Sequence, residues 1–237
     1  MAIELPIHTR IYPQNSKGGI LLCGINHGYS ENDKNLDESG VNREDPYKSF
    51  FSDKEVNDYP FRNNIVKWFS LWGYKLGDSI EGIGDFEKSI VQTNWLQTCS
   101  NNMSGINTHQ ACIQDNELFL ETCEQLKPKI LILFSKELLW AFNSHELNEK
   151  VGSIFGKKIN GTDWLQKDII SNGKKCTRFK VGFQQYERLN VISLPHATSA
   201  RGLSDDYIAS FKPEISKIIS DWWCQHQKAN KSKHADL

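Results

Sequence analysis

Polar side chains stand directly after apolar runs at three places in this sequence, and their types define the chemistry that the chain could do. GINHG at 24–28 follows one run, Thr93-Asn94 follows a second, and PHATSARG at 195–202 follows a third. An Asn amide both donates and accepts hydrogen bonds, and a neutral imidazole still donates one N–H. Asn26, Asn94 and His196 would therefore suit a planar heterocycle that carries amide-like groups.

The same sequence argues against several other kinds of site. No pair of carboxylates stands at those positions, and no Ser lies in a nucleophile-elbow context. The dinucleotide pattern GxGxxG and the P-loop pattern GxxxxGK[ST] are both absent from the chain. Its six cysteines form no CxxC pair, so the sequence indicates neither a zinc ribbon nor an iron–sulfur centre.

A parallel sheet would bring the three polar stretches together. The apolar runs at 20–23, 130–134 and 191–194 are continuous, which is typical of strands buried on both faces, and a weaker run stands at 90–91. Ligands bind beyond the carboxyl ends of strands in such sheets. We therefore expect the polar groups to converge on one rim.

Helical patterns separate these runs and predict a doubly wound α/β fold. Apolar residues recur at helical spacing over 61–72, over 107–126 and from about 204 to 222. Asn107 or Thr108 is a suitable N-cap for the second helix, and Ser204 for the third. The alternating stretch 177–184 predicts an edge strand or a hairpin arm.

Length and composition favour a single domain over residues 1–237, with an acidic insertion or lid at about 29–60 and a polar tail at about 228–237. The net charge of −1 provides no global attraction for nucleic acid, so any phosphate contact needs a local patch. The sequence contains neither a signal peptide nor a run of transmembrane length. These features predict a cytoplasmic protein that does not engage a membrane.

Four motifs, taken in order, resemble those of the uracil-DNA glycosylase superfamily over about residues 18–222. GINHG at 24–28 is similar to the GINPG or GMNPG motif of the mismatch-specific and single-strand-selective branches. PHATSARG at 195–202 is similar to an HPSP-type loop that opens with a functional His. Tyr59-Pro60-Phe61 resembles the Pro-Phe whose ring stacks on the flipped base, and Thr93-Asn94 resembles the strand end that reads the base edge.

The resemblance implies a three-layer α/β/α sandwich around a central, mainly parallel four-stranded sheet. It implies a monomeric, monofunctional DNA glycosylase that needs no cofactor, metal or iron–sulfur cluster. Such an enzyme hydrolyses the N-glycosidic bond of a flipped-out uracil or modified pyrimidine in base-excision DNA repair, and leaves an abasic site.

The roles implied for single residues follow from the matched motifs. Asn26 would position the attacking water, and His196 would donate to the pyrimidine O2 as negative charge develops there. Asn94 would pair with the base edge, and Phe61 would stack on the base face. The loop residues implied in DNA contact are Thr198, Ser199 and Arg201.

Three departures from the family pattern fit a pocket reshaped for another base. His27 stands where the first motif has Pro, so either a different turn or a titratable group beside the site would result. Ala197 and Thr198 replace Pro and Ser in the second motif, and the insertion before Phe61 is long. These changes favour a bulky modified pyrimidine. One such enzyme would be an antiviral defence protein that removes modified bases from foreign (phage) DNA.

Two other functions are compatible with the sequence. The altered motifs would also suit a catalytically silent module that binds nucleic acid or a protein on the same fold. A hydrolase of free nucleosides would need no DNA contacts. Single residues have structural interpretations as well: Asn26 in a left-handed turn, Asn94 satisfying a backbone group, Phe61 in the core, and Arg201 as a solvated side chain.

Overall fold

A computed structural model describes most of the chain. The described residues are 9–11, 19–26, 51–52, 60–77, 83–98, 105–171, 173–176, 178–198 and 200–235. The predicted insertion at 29–60 therefore lies outside them except for residues 51–52 and 60. His27 and Ser199 also lie outside the described residues.

Strands and helices alternate along the first half of the chain. The strands are β1 (Arg10–Ile11), β2 (Ile20–Gly24), β3 (Ile90–Asn94), β4 (Ile130–Leu133), β5 (Asp163–Leu165), β6 (Ile169–Ser171), β7 (Lys174–Cys176), β8 (Val181–Tyr186) and β9 (Leu189–Ser193). The helices are α1 (Pro60–Trp72), α2 (Asp85–Lys88), α3 (Thr108–Gln114), α4 (Glu117–Leu126), α5 (Lys136–Phe142), α6 (His145–Phe155), α7 (Asp205–Ala209) and α8 (Lys212–Ala235).

The main sheet confirms the α/β class but is larger than the sequence predicted. Its seven strands have the order β1-β3-β2-β4-β9-β8-β5, and β6 pairs with β7 in a separate hairpin. The four inner strands are parallel, whereas β1, β8 and β5 pair antiparallel. The expected sheet of four mainly parallel strands was therefore too small. A short turn joins β8 to β9, and so short a connection can only produce an antiparallel pair.

Helices cover both faces of this sheet because its inner strands are apolar on both sides. One core contains the buried side chains of α3, α4, α5 and α6, and the other contains those of α1, α7 and α8. All residues of β2, β3 and β4 are buried, as expected for doubly covered parallel strands. No helix of the described residues is long and apolar enough to cross a membrane.

Two predicted helices are each divided in two. The pattern over 107–126 breaks at Asp115 and Asn116, where the Asn116 amide donates to the carbonyl of Ile113 (2.6 Å) and competes with the helical bonding. The last helix breaks before Pro213, which lacks an N–H and cannot continue a helix from the preceding turn. Beyond that break, α8 continues through most of the polar tail to Ala235.

Both predicted N-caps are confirmed. The Asn107 side chain accepts from the N–H of Gln110 (3.2 Å), and the Ser204 hydroxyl accepts from the N–H of Tyr207 (3.2 Å). Each bond satisfies one of the N–H groups that the first helical turn leaves without a partner.

Candidate active site

The carboxyl ends of the four parallel strands form one continuous rim. In the sheet register, Gly24 at the end of β2 lies opposite Asn94 at the end of β3. On the other side of β2, backbone pairing continues beyond the strand ends. The N–H of Phe134 donates to the carbonyl of Cys23 (3.0 Å), and the N–H of Leu194 donates to the carbonyl of Leu133 (2.8 Å). The backbone therefore holds this rim rigidly, as far as the residues that precede His196.

Asn94 is the most unusual polar residue on the rim. Only 5% of its surface is exposed, yet its side-chain amide makes no hydrogen bond to any other described residue. Its nitrogen and oxygen are not among the fully buried side-chain atoms that lack a hydrogen bond within the described residues, so the Asn94 amide keeps some contact with solvent and can meet a ligand from there. The alternative interpretation, that Asn94 satisfies a neighbouring backbone group, has no hydrogen bond to support it among those residues.

Gly24 makes the position of Asn94 possible. A Cβ built on Gly24 would overlap the Asn94 Oδ1 and would lie 3.6 Å from Cζ of Phe61. The glycine is therefore required by close approach and not by its backbone conformation. Because its hydrogen is small, the ring of Phe61 and the amide of Asn94 both reach the end of β2.

Phe61 links the helix α1 to three strand ends. Its ring is half-buried and packs edge-on against Phe134 just after β4, with ring centroids 5.1 Å apart. The ring of His196 lies 5.8 Å away, centroid to centroid, at an angle of 46°. Phe61 thus packs against the core, as its structural interpretation requires, and is also partly exposed beside Asn94 and His196.

His196 lies in the loop after β9 and is held by Thr198. The backbone N–H of Thr198 donates to Nδ1 of His196 (3.3 Å), and the Thr198 hydroxyl lies 3.2 Å from the same nitrogen. Burial lowers the pKa of His196, which favours the neutral ring. Because Nδ1 accepts the backbone hydrogen bond, the ring proton is on Nε2, which is then a donor.

Asn64 also orients this loop, and the sequence analysis missed it. Its Nδ2 donates to the carbonyl of Ala197 (2.6 Å), directly after His196. Asn64 follows Phe61 by three residues on α1, a spacing that places both side chains on one face of a helix. That spacing was visible in the sequence, but the partner carbonyl lies 133 positions away in the chain.

The remaining predicted residues lie near the same rim to different degrees. Asn26 is half-buried two residues beyond β2, and the intervening Ile25 carbonyl accepts from the N–H of Leu96 (2.8 Å). Thr198, predicted to contact DNA, is exposed and lies against His196. Arg201 is exposed in the turn that follows.

Among the described residues, no group of three or more His, Cys, Asp or Glu could hold a metal ion.

The rim therefore combines an amide with no hydrogen bond to the rest of the described residues, a partly exposed aromatic ring and an imidazole with a defined donor nitrogen. No carboxylate belongs to this set, so strong general-base catalysis by a side chain is not available from it. The set can instead bind a flat heterocycle through its edge and face, and can donate a hydrogen bond to an oxygen that gains charge.

No protein-family model matches the chain, and no protein of curated function matches its sequence.

We expect Gly24→Ala to lower the free energy of unfolding by about 1–3 kcal/mol, because the new methyl group overlaps Oδ1 of Asn94 and must displace that side chain. The matched control is Gly152→Ala in α6, where an added Cβ meets no atom within 4 Å. That control should stabilise the protein by about 0.5–1 kcal/mol through helix propensity. Chemical denaturation of both variants measures the difference. Equal stability of Gly24→Ala and the wild type would contradict the proposed packing.

Proposed function

We propose that this protein is a DNA glycosylase that hydrolyses the N-glycosidic bond of a flipped-out pyrimidine and leaves an abasic site. The observation that carries the proposal is the side chain of Asn94, nearly buried and without a hydrogen bond to any other described residue, beside the ring of Phe61 and with His196 on the same rim. A pyrimidine offers a face for the ring and an edge for the amide. Flipping the nucleotide out of the duplex makes both the face and the edge of the base accessible to a site on the protein surface.

In this proposal the bond between the base nitrogen and C1′ breaks with its electron pair moving onto the base. The sugar passes through an oxocarbenium-like state, and a water held by Asn26 adds its oxygen to C1′ and loses a proton to solvent, while the released base anion takes up a proton from solvent. His196 donates Nε2–H to the pyrimidine O2, where negative charge grows as the base leaves. A donor that is already oriented lowers the barrier without reorganisation during the step.

The neutral character of the site has a consequence for rate. Asn26 can orient a water but cannot accept its proton as a carboxylate would, so the proposed enzyme relies on leaving-group stabilisation. We expect its turnover to be modest and to depend strongly on the base. Bases whose anions are stabilised by electron-withdrawing substituents should leave faster.

The substrate we propose is a modified pyrimidine, with uracil as the simplest case. His27 in place of Pro and the Ala197-Thr198 pair support a pocket that differs from one shaped for uracil alone. A defence enzyme acting on modified bases of foreign DNA would fit these changes. On this proposal the chain is a single, monomeric, cytoplasmic domain with the three-layer architecture of uracil-DNA glycosylases.

The test uses oligonucleotides that each carry one uracil or one 5-substituted pyrimidine, in single- and double-stranded form. Alkali cleaves the strand at any abasic site, and the released base is measured by chromatography. We expect release of at least one of these bases by the wild type, and a loss of that release in Asn26→Ala.

Three outcomes would count against the proposal. Release of no base by the folded wild type would overturn it, as would equal release by wild type and Asn26→Ala. Activity on free nucleosides but not on DNA would replace it with a nucleoside hydrolase. Salt-dependent DNA binding without release would indicate the silent binding module.

A further inference from the structure

The antiparallel strand β8 brings a second basic residue to the active-site rim. In the β8–β9 register, Gly182 lies opposite Ser193, the last residue of β9. Residues 178–180, which lead into β8, therefore lie at the same edge of the sheet as the start of the His196 loop. The alternating stretch 177–184 predicted an edge strand or a hairpin arm; β8 is the hairpin arm, because it pairs with β9 on one side and with β5 on the other.

Arg178 lies against the turn that contains Arg201. A Cβ built on Gly202 would lie 3.6 Å from Nη2 of Arg178, so the guanidinium contacts this turn directly. Gly202 has a φ of +82°, a left-handed conformation that favours glycine and reverses the chain after Arg201. Arg178 and Arg201 are both exposed.

The guanidinium of Arg178 is held in place before any ligand binds. Its Cζ lies 4.7 Å from the centroid of the Phe179 ring, a cation–π contact. The carbonyl of Phe179 accepts a hydrogen bond from the hydroxyl of Tyr207, a fully buried residue of α7. The backbone beside Arg178 is therefore anchored to the core.

Neither arginine is neutralised by a carboxylate among the described residues, where the ion pairs are Lys67–Asp205, Lys88–Asp85 and Lys167–Glu214. An anion bound at this turn would lie beside the positive charge of Arg178 and near that of Arg201, which belongs to the turn itself. A guanidinium presents two parallel N–H donors that match the geometry of phosphate oxygens.

We propose that Arg178 and Arg201 form a clamp for the phosphodiester backbone beside the flipped nucleotide. The inference rests on the proposed function for its substrate, and adds Arg178 as a DNA contact. A local pair of arginines would give a chain with a net charge of −1 the phosphate contact that its total charge does not provide.

The experiment measures binding of a fluorescent oligonucleotide by anisotropy at several salt concentrations. The variants are Arg178→Gln, Arg201→Gln and the double variant, each checked for an unchanged thermal melt. Lys129→Gln is the matched control, because Lys129 is an exposed cation just before β4, at the opposite edge of the sheet. We expect the slope of log K against log salt to fall by about 1 for each arginine removed. The control should keep the wild-type slope.

Base release is measured on the same proteins, so the two proposals can fail separately. A wild-type slope in the double variant would overturn the clamp, even if the protein releases bases. An equal fall in slope for Lys129→Gln would also overturn it, because the effect would then be one of total charge. Reduced slopes in a protein that releases no base would support the clamp and overturn the glycosylase proposal.

Discussion

Replacing His196 with alanine is expected to slow base release about 10²–10³-fold, the usual effect of removing one oriented donor from a developing anion. The reason is the hydrogen bond from the Thr198 N–H to Nδ1, which leaves Nε2–H as the donor. Single-turnover release of the base from a labelled oligonucleotide measures the step directly. Because the imidazole acts on the leaving base and not on the DNA backbone, DNA affinity should change little.

The matched control is His145→Ala, which removes an exposed imidazole at the start of α6. That variant should release base at the wild-type rate. A His196→Ala protein with unchanged thermal stability and a wild-type rate would contradict the role of His196 in leaving-group stabilisation.

The pH profile provides a second readout for the same residue. Burial lowers the pKa of His196 from its ordinary value of 6.5, so the ring is neutral at pH 7 and gains a proton only as the pH falls through that lowered pKa. Protonation would place a hydrogen on Nδ1, opposite the N–H of Thr198, and break the bond that orients the ring. We therefore expect kcat/KM to be level near neutral pH and to fall on an acid limb below pH 6.5. An acid limb centred above that value would contradict this assignment.

Asn94→Leu is expected to reduce base release about 10²-fold or more while leaving the fold about as stable as the wild type. Leucine has nearly the shape of asparagine but no polar atoms. In the free protein, the Asn94 side chain has no hydrogen-bond partner among the described residues and its amide keeps some contact with solvent, so an apolar replacement breaks no bond to those residues. Base-release assays and denaturant titrations measure the two effects.

Asn143→Leu is the contrasting control for this prediction. The Asn143 amide donates to Gln184 Oε1 (2.8 Å), and its oxygen accepts from Gln184 Nε2 (2.9 Å) and from Lys158 Nζ (2.6 Å). Losing these bonds should destabilise the protein by about 1–3 kcal/mol. If Asn94→Leu were destabilised as much as Asn143→Leu, Asn94 would have a structural partner and its assignment to the base would be wrong.

Much of the fold could be predicted because its signals are local. Continuous apolar runs indicated the four parallel strands, and the side chains of Asn107 and Ser204 marked helix starts through hydrogen bonds that span three residues. The breaks at Asp115-Asn116 and before Pro213 also have local causes, but the apolar periodicity continues across both and hides them. The strands β1 and β5 are too short to leave a pattern.

The candidate site could be predicted in part because parallel strands deliver their carboxyl ends to one edge. Asn94 and His196 stand at or beyond such ends, and the topology alone requires that they share a rim. Asn64 and Arg178 could not be assigned in this way. Their partners, Ala197 and Gly202, are close in space only because α1 and β8 pack beside the loop after β9.

By itself, the sequence determined the α/β class, the parallel strands and the polar residues at their ends, because hydrophobic periodicity and turn chemistry act between neighbours in the chain. Only the tertiary structure decided that the Asn94 amide has no partner among the described residues, that Gly24 makes room for it, and that His196 carries its proton on Nε2. These properties depend on which atoms fill the space around a side chain. Residues distant in sequence supply most of those atoms, and packing selects them.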